Sequence, residues 1–388
     1  MARHYLDHAS TSPLRPEARD ALVDMLDRSV TAEIADPSRI HSEGMVARAV
    51  VEDARERCAA FLGVRPREVV FTSGATESIA SATWGAVRRA VDRGVDPHIV
   101  HGAVEHSSVR RSSELFATSA GGRVTVVGVD GTGRVDVDAF VHALHPDTAL
   151  AHVQIGNHEV GTLQPVAEIV GACRQRGVLV HVDATHAVGR LPLDIGGLDA
   201  DLVSMGSLEF GGPPGVGVLV VRLGLRLEPL LVGGEQERAR RAGTEDVPGL
   251  AALGATLGAL TTERLGAEAE RSRRSCAELE ERLTAVDGIA VLGPADPRAR
   301  LPHLLCLSVE GVEPQGVVLG LDQRGIAVHS GSSCASEDLE PSPVLEAMGV
   351  DAHRSLRLSV GWSTTPDDIE AVCRALPEVV AGLRALGA

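Results

Sequence analysis

Three stretches of this chain carry residue types that could do chemistry. The first, Phe71-Thr72-Ser73-Gly74-Ala75-Thr76-Glu77, lies between an apolar run and a helical pattern. Free N–H groups at the helix start and the Thr76 hydroxyl would make this turn an anion or phosphate site. The same letters also serve as an ordinary cap, and locally the two readings stand even. In the second stretch, His181-Val182-Asp183-Ala184-Thr185-His186, Asp183 follows the apolar Val178–Val180. That places it at the carboxyl end of a buried strand, where open α/β sheets hold ligands. A carboxylate there can face a protonated ring nitrogen, coordinate a metal or cap the next turn. The third stretch is polar, Ser330-Gly331-Ser332-Ser333-Cys334-Ala335-Ser336, the setting of an exposed, reactive thiol. Cys58, Cys173, Cys276 and Cys373 fall in helical patterns and Cys306 in an apolar run, so these five read as inert.

One residue type is missing. All 37 Lys+Arg residues are arginines, where about twenty lysines would be ordinary for such a length. Arginine replaces lysine as a surface charge. It cannot shed its proton and attack a carbonyl.

These groups need a scaffold. Val69–Thr72, His98–His101, Val124–Val127, Ala149–Ile155, Val178–Asp183, Leu202–Met205 and Val216–Val221 read as buried strands. Helical patterns such as Glu77–Arg89 and Val166–Arg176 lie between them, which predicts a mostly parallel sheet covered by helices on both faces. From Val247 to Val286 the chain reads as helical, with Leu250, Leu253, Leu257 and Leu260 in step. A smaller α+β unit follows, with strands near Leu304–Val309 and Leu356–Val360 and a last helix opening at Thr365-Pro366.

The formal charge of −16 speaks against nucleic acid or an anionic membrane as partner. Arg238, Arg240 and Arg241 could bind an anion, whereas Arg271, Arg273 and Arg274 read as a solvated helix face. Met1–Ser10 has no apolar signal core, no apolar run approaches the ~20 residues of a membrane span, and the six cysteines form no C-x-x-C pair. A cytoplasmic location is expected.

Taken in order, the motifs resemble the cysteine desulfurases, of the class V aminotransferase family of fold type I pyridoxal-phosphate (PLP) enzymes. The resemblance spans nearly the whole chain. It rests on Tyr5–Pro13, Thr72–Ser78, Glu105-His106, Asn157-His158-Glu159-Val160-Gly161, His181–Gly189, Gly233–Thr244, Ser330–Pro341 and Leu356–Gly361. It implies an α/β fold of the PLP-transferase type: a large domain (residues 13–250) with a mostly parallel seven-stranded sheet, and a small α+β domain (251–388 with 1–12). It further implies a cofactor phosphate at Gly74, Ala75 and Thr76, with Thr244 arriving from a second subunit of a homodimer. Asp183 would face the pyridine nitrogen, His106 would stack on the ring, Arg357 would grip a substrate carboxylate, and Cys334 would become a persulfide.

The departures gather at one place. The family's Ser-Gly-His-Lys is here Gly206-Ser207-Leu208-Glu209, in a register fixed by Asp201-Leu202 before it and Gly212-Pro213 after it. Glu209 thus stands at the Schiff-base lysine, and His158 and His186 replace an asparagine and a glutamine near the ring. On this reading no cofactor is held covalently. The expected function is a persulfide relay through Cys334, or a regulatory partner of a true desulfurase in a mixed dimer or with a sulfur acceptor. PLP bound non-covalently is a second expectation. A rebuilt metal site of His106, His158, His186, Asp183 and Glu209 is a third.

Overall fold

The computed structural model describes residues 3–330 and 341–387. The expectation placed on Cys334 lies outside the described residues.

A short strand β1 (His4–Tyr5) precedes helices α1 (Pro16–Val30) and α2 (Ser42–Leu62). Strand and helix then alternate through β2 (Val69–Thr72), α3 (Ala75–Val91), β3 (His98–Gly102), α4 (Ser107–Ser119), β4 (Arg123–Val127) and α5 (Val137–Ala143). The alternation continues through β5 (Thr148–Gln154), α6 (Val166–Arg176), β6 (Leu179–Asp183), β7 (Leu202–Gly206) and β8 (Gly217–Val221). Next come α7 (Gln236–Ala239), α8 (Val247–Ala259) and α9 (Thr262–Leu283). The last portion holds β9 (Ile289–Leu292), β10 (Leu304–Val309), α10 (Pro314–Asp322), β11 (Ile326–Ala327), α11 (Pro343–Ala347), β12 (Ser355–Ser359) and α12 (Pro366–Gly387).

Seven strands form one sheet in the order β2-β8-β7-β6-β5-β3-β4. The neighbours from β4 to β7 run parallel, while β8 runs antiparallel to both β7 and β2. Two reversals bring β2 back into the direction of β7, so β2, β3, β5, β6 and β7 all end at one edge. Nearly every residue of β3, β5, β6, β7 and β8 is buried, as an apolar strand between two helical layers should be. The second sheet is antiparallel, in the order β12-β10-β9. It shares an apolar cluster with Leu279 and Leu283 of α9 and with Ile369, Leu376 and Val380 of α12. β1 pairs in parallel with β11, which draws the chain's opening segment onto this unit.

The expected strands occur with ends shifted by a residue or two, and Leu304–Val309 occurs as drawn. The single helical run expected over 247–286 is instead two helices. α8 ends at Ala259, and the Thr261 side chain accepts a hydrogen bond from the Arg264 N–H to start α9. Among the described residues no helix is long and apolar enough to cross a membrane.

Arg238, Arg240 and Arg241, considered for an anion, each have a partner within the fold. Arg240 donates to the carbonyls of Arg67 and Val69, Arg241 is held by Glu77, and Arg238 pairs with Glu52.

Candidate active site

The turn after β2 is braced from inside. Thr72 Oγ1 lies 3.1 Å from the Gly74 carbonyl and 2.7 Å from the Ser78 hydroxyl, and the Ser73 N–H donates to Glu77 Oε2 at 2.8 Å. Gly74, with φ near 151°, leads into the 17-residue α3. Across from it, a Cβ at Gly217 would lie 2.4 Å from the Gly74 carbonyl carbon, so only glycine lets β8 approach this turn. Thr76 is exposed at the helix start and lines a cavity of about 260 Å³. Ser73, Gly74, Ala75, His106, Asp183, His186, Gly206 and Glu209 line the same cavity.

Asp183 ends β6 on the floor of this cavity. Its Oδ1 accepts from the Thr185 N–H at 3.0 Å and from Thr185 Oγ1 at 2.5 Å. His106 caps α4, with its Nδ1 on Ser108. Its ring meets that of His158 edge-on at 5.0 Å between centroids, and His186 follows at 5.8 Å. Burial drives the imidazoles of His158 and His186 well below their usual range, helped in both by His106 and the Arg357 charge and, for His186, by His158. Both are held neutral.

Glu209 sits in a short turn after β7, and its backbone carbonyl accepts a hydrogen bond from Arg190. Its carboxylate folds back over Gly206, and Oε2 has no hydrogen-bond partner among the described residues. Burial pushes this carboxyl up to about 7, and the nearby negative charge of Asp183 acts in the same direction. Glu105, buried behind the pocket, accepts from the Gln154 N–H at 3.0 Å and is pushed up to about 8, again by burial first and by Asp183 second. Glu209 and Glu105 are therefore carboxyls able to carry a proton near neutrality.

Arg357, at the middle of β12, is 1% exposed and lies beyond His158. One arm donates to the His158 carbonyl at 2.9 Å, and the other reaches Asp7 at 3.0 Å and Ser10 at 2.5 Å. Thr244 is exposed and does not line the pocket. The five residues considered for a metal are near one another, yet among the described residues no group of three or more His, Cys, Asp or Glu is placed to hold an ion. Cys58, Cys173, Cys306 and Cys373 are buried, and burial pushes their thiols up to about 11 or 12, which leaves them unreactive.

Residues 4–372 match the family model described as Aminotransferase class-V. The chain belongs to the class V aminotransferase family. A cysteine desulfurase (IscS) of Methanosarcina thermophila is 36% identical over 98% of this chain and 92% of its own length. A cysteine desulfurase of Cereibacter sphaeroides is 36% identical over 100% of this chain and 98% of its own. Among solved structures, a NifS-like protein superposes with a TM-score of 0.89 at 29% identity, over 98% of this chain and 100% of that one. These matches give this class V chain the fold of a type I PLP enzyme, with a mostly parallel seven-stranded sheet.

One expectation is overturned here. The sequence reading expected no covalently held cofactor, with loosely bound PLP or a metal as alternatives. The relatives are cysteine desulfurases, whose family binds PLP covalently. The pocket fits that cofactor at two points. The α3 N-terminus and Thr76 suit a phosphate, and Asp183 suits a ring nitrogen. At the edge of the same cavity the Glu209 carboxylate folds over Gly206.

Reading by motif located Asp183, His106, His158, His186, Glu209 and the Gly74 turn, which the structure brings together around one cavity. It missed Asp7, Ser10 and Glu105. Glu105 carried a signal, since it stands beside His106 in a quoted motif, but its burial is a property of the fold.

Proposed function

We propose that this protein handles sulfur as a cysteine desulfurase-type persulfide carrier, with Cys334 as the relay residue. What supports the reading is one conjunction: whole-length similarity to cysteine desulfurases in a chain whose 37 Lys+Arg residues are all arginines. In the relay, the Cys334 thiolate attacks the outer sulfur of a donor's persulfide. A new S–S bond forms on Cys334, the donor's S–S bond breaks, and the donor cysteine leaves as a thiolate with no net oxidation.

The reading places the protein in the cytoplasm as a homodimer, or as a mixed dimer with a catalytically competent desulfurase. Exposed Thr244 would then be offered to the partner's pocket. In the mixed dimer this chain also regulates its partner. The division into 13–250 and 251–388 with 1–12 belongs to the same reading. Arg357 is assigned a ligand's carboxylate.

The test mixes the protein with an active cysteine desulfurase, L-cysteine and a thiol acceptor. Sulfur delivery should rise on adding the wild-type chain and fall back with Cys334→Ser. Equal delivery with both proteins would refute the relay.

A further inference from the structure

The surroundings of Arg357 assign a role to a residue far away in sequence. The guanidinium is nearly sealed from solvent, yet its donors are unevenly used. Nη1 donates to the His158 carbonyl at 2.9 Å. Nη2 meets one oxygen of Asp7 at 3.0 Å and the Ser10 hydroxyl at 2.5 Å, and that hydroxyl in turn donates to the same Asp7 oxygen at 2.9 Å. Nε, which shares an edge with Nη2, has no hydrogen-bond partner among the described residues. A buried N–H on a charged group without an acceptor is costly. The Nε–Nη2 edge is a fork that a carboxylate fills with two parallel bonds. Asp7 fills only half of it.

We propose that Asp7 is a specificity-determining residue: an internal carboxylate that holds Arg357 in the empty site and that a ligand's carboxylate must displace. This rests on the assignment of Arg357 to a ligand carboxylate and adds what that ligand competes against. Displacement is chemically balanced in kind, one carboxylate for another, and the ligand gains the second bond that Asp7 lacks. The exchange is selective, because a ligand without a carboxylate leaves the Asp7–Arg357 pair in place. It also has a structural reach. Asp7 bridges to Ser359 beside Arg357 on β12, and the Arg357 backbone exchanges two hydrogen bonds with His329. Arg357 thus ties the opening segment to the strand residues that lead toward position 331.

The experiment is calorimetric titration with L-cysteine and with cysteamine, which has the same amine and thiol but no carboxylate. Asp7→Asn keeps the shape and removes the competing charge, so it should bind L-cysteine about tenfold more tightly than wild type, a 1.4 kcal/mol gain. Cysteamine should bind both proteins alike. Ser10→Ala, which leaves the charge and removes the second hold on Nη2, should tighten L-cysteine in the same direction but less. Arg357→Gln should abolish the preference for the carboxylate. If wild type binds L-cysteine through Arg357 while Asp7→Asn and Ser10→Ala bind it no more tightly, the role of Asp7 is refuted. If Arg357→Gln binds as wild type does, or no protein binds L-cysteine, the assignment of Arg357 itself fails. Sulfur delivery through Cys334 is read separately and moves with neither outcome.

Discussion

The Glu209 carboxylate rests on the bare Cα of Gly206: a Cβ built at position 206 would lie 2.5 Å from Glu209 Oε2. Gly206 and Glu209 therefore form one structural unit on this loop. Glycine makes the room, and the carboxylate takes it.

Gly206→Ala should consequently destabilise the protein by about 1–3 kcal/mol through overpacking. In Gly206→Ala/Glu209→Ala most of that loss should return, giving a coupling of at least about 0.5 kcal/mol in a double-mutant cycle by denaturant unfolding. Strict additivity would show that the two residues do not share this space.

Glu209→Gln should have a pH-dependent effect. Burial raises the native carboxyl to about 7, so between the unfolded value of 4.5 and neutrality the native state binds the extra proton. The stability this contributes is present at low pH and lost as pH rises through about 7. Glutamine cannot ionise, so the variant should gain on wild type by about 2 kcal/mol between pH 5 and pH 8. Thermal midpoints measured across that range give the answer, and parallel curves would contradict it.

The whole protein should behave in the opposite way in acid. Burial lowers His8 to about 3 and His98 and His181 to about 4, and holds His152, His158, His186 and His303 well below the usual range. In the unfolded chain each takes a proton near 6.5, so the unfolded state binds more protons below that value and stability falls with falling pH. These histidines outnumber Glu105 and Glu209, whose raised values act in the opposite sense. The unfolding midpoint should drop steeply from pH 6.5 to pH 5, and a flat profile there would show that the imidazoles are not buried neutral.

Glu237 anchors the loop that carries Arg238, Arg240 and Arg241. Its carboxylate takes both arms of buried Arg55, at 2.6 and 2.8 Å, and the Phe71 N–H at 3.0 Å, while its backbone is held at φ near 50°. Glu237→Ala leaves the buried Arg55 guanidinium with only the exposed Glu52, at 3.1 Å, as an ionic partner and should cost about 3 kcal/mol. Arg55→Met/Glu237→Leu should recover much of this loss in the same unfolding assay.

Much of this was legible from sequence because buried parallel strands write themselves as short apolar runs. Val69–Thr72 and Leu304–Val309 were read at their observed bounds. The two-residue strands β1 and β11 were not, since their pairing is fixed by a partner more than 300 residues away. α1 and α2 lacked a strand rhythm around them. At the site, Gly206 and Glu209 were each visible as a letter, yet the seating of Glu209 on Gly206 depends on how the turn after β7 curls. The Asp7–Arg357 pair spans 350 residues and has no local signature at all. Motifs name the groups; the fold decides which of them touch.

The central claim, that Cys334 carries sulfur, is tested most directly by intact mass spectrometry of this chain after incubation with an active cysteine desulfurase and L-cysteine. The account predicts a gain of one sulfur that a reductant removes, that maps to the peptide containing Cys334, and that is absent from Cys334→Ser. An unchanged mass, or the same gain in Cys334→Ser, would contradict it.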